Sequence, residues 1–280
     1  MNNYRVLPPH LHTVADAAET LIRLKYGLSQ TRIETAISSE IGLEPTLHWK
    51  TPLGYIICEV SEKPLPVSIL TAYSEIIASG LPIKVIIAYP SSLTITQAEY
   101  LKESNKAKKF GLGLLSVNDD GTGNFEHTGI DLSLYLPSPE MASYHQAFRA
   151  EINKAFDLYI NGDPVHGVQA VGQLVEDTLV NVAHQAKKKG LLISGGFRSK
   201  EAYYPSAKLI DDFIADRILD NIILGRCRGF IDDRNKTSHK PKNLLQAQKL
   251  HKALKNSMLD GLRIIENLPK SLKDKTYRVR

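Results

Sequence analysis

Two cysteines, Cys58 and Cys227, one tryptophan and three methionines are all that 280 residues provide of these types. Two cysteines cannot build a disulfide scaffold, and no Cys/His group has the paired spacing of a zinc site. Cys58 sits in an apolar strand-like run, Ile56-Ile57-Cys58, and Cys227 in a basic helical stretch. A disulfide between them is disfavoured in a reducing compartment. No apolar run approaches the roughly 20 residues that a bilayer-crossing helix needs. The first residues, MNNYRVLPPHLH, lack both the basic start and the apolar stretch of a signal peptide. The expectation is a cytoplasmic protein with no membrane partner. Neither an internal repeat nor a low-complexity segment is present, which excludes a solenoid. His10 and His12 form a possible ligand pair, but beside Pro8 and Pro9 they read as exposed loop residues.

What is present is an ordinary globular balance, 42% hydrophobic and 23% charged, enough for one large or two ordinary domains. Charge is unevenly spread. Residues 221–280 hold 15 Lys+Arg against 5 Asp+Glu, a net +10, whereas the other 220 residues hold 20 against 25, a net −5. A basic end on an acidic chain points to an anionic partner, of which nucleic acid is the commonest.

Apolar periodicity predicts a helix over residues 13–26, capped by Thr13 and stopped by Gly27. A second helix is expected from Ser29 or Thr31 to Ile41, ending at Gly42. Residues 46–49 and 55–60 then read as a hairpin around Thr51-Pro52-Leu53-Gly54. Residues 67–79 and 94–110 are helical, and 83–88 and 112–117 are buried strands. Residues 119–123 make a turn before a last strand over 125–128. The first 136 residues are therefore an α/β domain, a mixed sheet flanked by helices. Leu136-Pro137-Ser138-Pro139 reads as a linker. Beyond it strand signals fade. Residues 142–159, 165–189, 206–219, 222–233 and 243–268 are helical, with Asp163 as a cap and Pro164 in the first turn. This is an all-α bundle over 141–272, followed by a basic tail, 273–280. The glycines at 121, 123, 195 and 196 do not open helices after strands, so they read as turns rather than a phosphate loop.

Within the basic end stands Arg228-Gly-Phe-Ile-Asp-Asp-Arg234-Asn235-Lys236-Thr-Ser-His239-Lys240-Pro241. On one unbroken helix Arg234 and His239 would face about 140° apart. They converge only if the helix ends between them, and Pro241 disfavours helical geometry at Lys240. The chemistry suits RNA. A 2′-hydroxyl can attack the neighbouring phosphorus without metal if a base takes its proton, and histidine titrates near neutrality. A planar guanidinium can hold the phosphate and its developing charge. Asn235 can orient the histidine or bind phosphate, with Lys236, Arg228 and Lys240 as further phosphate contacts. The same residues suit plainer roles: Arg234 in an ion pair with Asp233 or Glu176, His239 as a helix C-terminal cap.

Arg-Asn-x-x-x-His late in a bundle of four to five helices resembles the HEPN superfamily, over residues 141–272. Glu176 on the long second helix, within Val171-Gly-Gln-Leu-Val-Glu176, and a long helix after the motif fit the same pattern. The resemblance implies a metal-independent endoribonuclease with Arg234 and His239 at its centre. It also implies a homodimer in which both motifs line one cleft, with RNA as partner and no cofactor. Some members bind nucleotides or nucleic acid without cutting.

The α/β half resembles the restriction-endonuclease-like, PD-(D/E)xK fold. Its strand glutamate matches Glu59 in Tyr55-Ile-Ile-Cys58-Glu59-Val60-Ser61-Glu62-Lys63, and Glu34 or Glu40 matches the acidic residue on the preceding helix. Glu40 and Glu59 are thus the candidate metal ligands of a DNA nuclease. The family's lysine position is Ser61, with Lys50 or Lys63 as stand-ins, and a scaffold or sensor role is the alternative. Domain pairings of this kind suggest a conditional toxin acting in phage defence, by fold-level analogy.

Overall fold

The computed structural model describes residues 4–39, 41–92, 95–197, 204–236, 240–268 and 270, with the side chains of 233–236 left out. The chain divides into two compact units. One comprises Met1–Pro137, Ile160–Gly162 and Lys240–Lys252, the other Ser138–Tyr159, Asp163–His239 and Ala253–Arg280.

The first unit is built on a six-stranded mixed sheet in the order β1-β2-β3-β4-β5-β6. The strands are β1 (Arg32–Ile33), β2 (Leu47–Thr51), β3 (Gly54–Val60), β4 (Ile83–Pro90), β5 (Gly113–Val117) and β6 (Gly123–His127). β2 and β3 form the predicted antiparallel hairpin. Its turn is held by the Thr51 hydroxyl, which accepts from Gly54 N at 3.0 Å. Glycine is required at 54, because a Cβ there would lie 2.1 Å from the Pro82 carbonyl oxygen. That carbonyl accepts from Tyr55 N at 2.8 Å and sets the start of the next pairing. β3, β4 and β5 are parallel, joined through α2 (Val67–Ala78) and α3 (Gln97–Lys109), and β6 returns antiparallel to β5.

Alternation along the strands gives two apolar faces. Leu47, Trp49, Ile56, Cys58, Ile86 and Leu115 pack with Ala15, Ala18 and Ile22 of α1 (His12–Tyr26). Ile57, Val85, Ile87 and Leu114 pack with Ile69 and Ile76 of α2 and Ala107 of α3. Helices on both faces let β4 be buried on both sides, as its apolar run requires.

Two expectations fail here. Residues 29–39 are not a helix. Arg32 and Ile33 instead pair with His48 and Leu47 as an edge strand, and Thr31 Oγ1 accepts from Trp49 Nε1 at 3.0 Å. Glu34 then turns the chain at φ 45°. Its carboxylate accepts from the backbone amides of Arg5, Val6 and Leu7, the last two at 2.9 and 2.8 Å. These tertiary bonds override a weak local preference. Nor does Thr13 cap α1, which starts at His12 with no side-chain cap. Gly27 does stop it, in left-handed conformation at φ 64°.

The second unit is helical: α4 (Gln146–Ile160), α5 (Pro164–Lys188), α6 (Ser206–Ala215), α7 (Asn221–Lys236) and the later part of α8 (Leu244–Asn267). Asp163 caps α5 as expected, accepting from His166 N at 3.3 Å, with Pro164 in the first turn. Gly261 of α8 marks a close approach of three helices. A Cβ there would approach Val171 of α5 to 2.3 Å and Phe230 of α7 to 3.0 Å. Both cysteines are buried and free. No helix among the described residues is long and apolar enough to cross a membrane.

Candidate functional site

α7 buries Ile223, Leu224, Cys227 and Phe230, which recur at helical spacing. Arg226 and Arg228 occupy exposed positions between them. Arg228 is already engaged: its guanidinium pairs with Asp211 of α6, with both side chains at least half exposed. Arg234, Asn235 and Lys236 occupy the last turn of α7, but their side chains lie outside the described residues, as does His239 altogether. Lys240 is exposed and has no regular structure. α7 is thus described as far as Lys236, and the interval in which the Arg234-to-His239 spacing requires a break falls on residues 237–239, outside the described residues. Glu176 is half-buried on α5, between buried Val175 and Leu179.

Of the two candidate metal ligands, Glu40 lies outside the described residues. Glu59 on β3 has both oxygens committed. One accepts from Ser68 Oγ at 2.6 Å, the other from Thr46 N at 3.2 Å and Thr46 Oγ1 at 3.4 Å. Burial pushes its carboxyl above the usual carboxylate range, against those bonds. Among the described residues no group of three or more His, Cys, Asp or Glu is placed to hold a metal. Glu34 is not on a helix, and its carboxylate serves the amides of residues 5–7. His10 and His12 are not a loop pair. His10 lies in the tight turn leading into α1 and His12 is the first residue of α1, and they address different partners, Glu62 at 2.7 Å and the Leu7 carbonyl at 2.9 Å.

A polar cluster absent from the expectations sits at the N-terminal end of the parallel strands. Lys84 Nζ donates to the Gly129 carbonyl at 2.8 Å. Asp131 bridges to Lys84 through the backbone. His251, from the first half of α8, places Nδ1 2.7 Å from Ser133 Oγ and Nε2 3.8 Å from Asp131 Oδ2. The residues Lys84, Asp131 and His251 line a cavity of about 190 Å³ together with Tyr55, Pro82 and Pro241. Burial pulls the Lys84 ammonium below the ordinary lysine range, with Asp131 opposing. Burial also lowers His251, again opposed by Asp131 and reinforced by Lys84. The neutral imidazole and the serine satisfy each other in a half-buried setting. One sequence signal for the cluster existed: Lys84 interrupts the strand run 83–88 that otherwise reads as apolar. His251 had none, since a histidine in a long helix is ordinary.

A second cavity, about 320 Å³, opens at the carboxyl ends of β3, β4 and β5. His10, Thr13, Glu62, Ser92, Asn118 and Asp119 line it. That end is where open α/β sheets bind ligands.

No family model, no curated protein and no solved structure matches this chain.

Proposed function

We propose that this chain is a metal-independent endoribonuclease of the HEPN kind, acting through Arg234 and His239. One observation carries the reading: Arg234 lies in the last described turn of α7, and Lys240, which directly follows His239, is already without regular structure, so the chain leaves the helix close to the motif. The surrounding architecture agrees. A 25-residue second helix carries Glu176, and a 24-residue helix follows the motif. By the helical repeat, position 234 shares the phase of Ile223, Cys227 and Phe230 rather than that of exposed Arg228.

In this reading His239 takes the proton of a ribose 2′-hydroxyl. The 2′-oxygen attacks the adjacent phosphorus, and the bond from phosphorus to the 5′-oxygen breaks. The leaving 5′-oxygen takes up a proton, and a 2′,3′-cyclic phosphate remains on the other fragment. Arg234 holds the phosphate as its charge develops, and Asn235 orients the histidine or the phosphate. Two copies of the chain supply two motifs to one cleft. The α/β unit serves as the sensor of a trigger, in the manner of a conditional defence nuclease. The test is the chemistry of the ends. Cleavage should leave 2′,3′-cyclic phosphate and 5′-hydroxyl termini, and an all-deoxy version of the same oligonucleotide should stay intact. Equal cutting of DNA would contradict 2′-hydroxyl attack. Salt-sensitive binding without any cutting would leave a nucleic-acid-binding protein instead.

A further inference from the structure

The first half of α8 has two unlike faces. Ala247, Leu254 and Met258 are buried, and His251 shares their phase and meets Ser133. Lys242, Lys249 and Lys252 are exposed. By the helical repeat Lys249 and Lys252 fall roughly opposite the buried stripe, while Lys242 lies just ahead of the helix. Lys249 and Lys252, three residues apart on the helix, are roughly 4.5 Å apart along its axis. Lys240, just ahead of the helix, is exposed as well.

Most charged helical faces mix signs, because acidic and basic side chains three or four residues apart stabilise each other. This one does not. From Lys240 to Leu259 the sequence has five lysines and neither aspartate nor glutamate. By contrast, α3 interleaves its lysines with Glu99 and Glu103. Within the described residues Lys240, Lys242, Lys249 and Lys252 have no acidic partner within ion-pair distance, so their charge is uncompensated. Uncompensated lysines on a helix fixed by its other face repel one another unless an anion covers them.

We infer that this face of α8, with Lys240, Lys242, Lys249 and Lys252, is a docking track for the phosphodiester backbone of RNA. The assignment of RNA rests on the proposed nuclease reading, since the track begins at Lys240, the residue that follows His239. Charge complementarity supplies the affinity. Lysine, a point charge on a flexible stem, grips phosphates without reading bases. The track therefore holds an RNA strand without choosing a sequence.

The test measures binding of a labelled single-stranded RNA oligonucleotide to the full chain carrying His239→Ala, across a series of KCl concentrations. A second protein adds Lys242→Gln, Lys249→Gln and Lys252→Gln. A third instead adds Lys102→Gln, Lys109→Gln and Lys188→Gln, at exposed positions elsewhere. Each lost phosphate contact should lower the slope of log affinity against log salt by about 0.7. The α8 triple variant should therefore lose about 2 from its slope, by similar amounts for unrelated sequences, and the control should lose almost nothing. An unchanged slope, an equal loss in the control, or no RNA binding at all would overturn the track. Cleavage by protein with His239 intact is scored separately. Cleavage that depends on His239 beside an unchanged slope removes the track alone. A reduced slope without His239-dependent cleavage removes the nuclease reading and keeps the surface.

Discussion

His251 Nδ1 and Ser133 Oγ meet at 2.7 Å across 118 residues of chain. This bond, with Asp131 3.8 Å from Nε2, ties the first half of α8 to the sheet. It fixes the direction in which the opposite, lysine-bearing face of that helix points.

The bond should behave as a coupled pair. Ser133→Ala and His251→Leu should each cost about 1–2 kcal/mol in urea unfolding, since each leaves a half-buried polar partner behind. The double variant should cost less than their sum by at least ~0.5 kcal/mol. Strict additivity would mean that the two groups do not depend on each other.

Acid should act through His48. It is fully buried on β2, and neither ring nitrogen has a partner among the described residues. Burial, aided by Arg32, pulls its pKa from the ordinary 6.5 down to about 4. The fold thus holds the neutral ring. This contribution is complete above pH 6.5 and is lost as the pH falls from 6.5 towards 4, by about 3 kcal/mol in all. Between pH 7 and pH 4 the wild type should lose about that much more stability than His48→Leu. Parallel pH profiles for the two proteins would count against it.

The helical unit hangs on the contact of Gly261 with Val171 and Phe230. Phe230→Ala should cost about 3–5 kcal/mol by leaving a cavity. Gly261→Val should also destabilise, because the space beside it is already filled. Denaturant midpoints read both effects. A Gly261→Val protein as stable as wild type would show that α5, α7 and α8 are not packed as described.

Glu59 should prove structural. Glu59→Gln removes a half-buried carboxylate that serves Thr46 and Ser68. A loss of about 1–2 kcal/mol is expected, with no change in RNA cleavage with or without Mg²⁺. Abolition of a Mg²⁺-dependent activity would reinstate the metal nuclease.

The architecture was legible wherever burial is one-sided or turn chemistry is explicit. The hairpin at Thr51 to Gly54, the stop at Gly27 and the Asp163-Pro164 start each rest on local rules. The segment 29–41 was not legible, because its conformation is set by distant partners, Trp49 and the amides of residues 5–7. The Lys84, Asp131, Ser133 and His251 cluster was hidden for the same reason: its members are brought together only by the fold. The Arg234 to His239 motif stood out through residue chemistry and charge, while its geometry turns on residues 237–239, which lie outside the described residues.

The most direct test of the central claim is cleavage of single-stranded RNA in excess EDTA by wild type, Arg234→Ala and His239→Ala, each shown to be folded by circular dichroism. The account predicts cutting by the wild type and losses of about 10²-fold or more in both variants. Equal rates in the three proteins, or activity that vanishes with EDTA in the wild type, would contradict it.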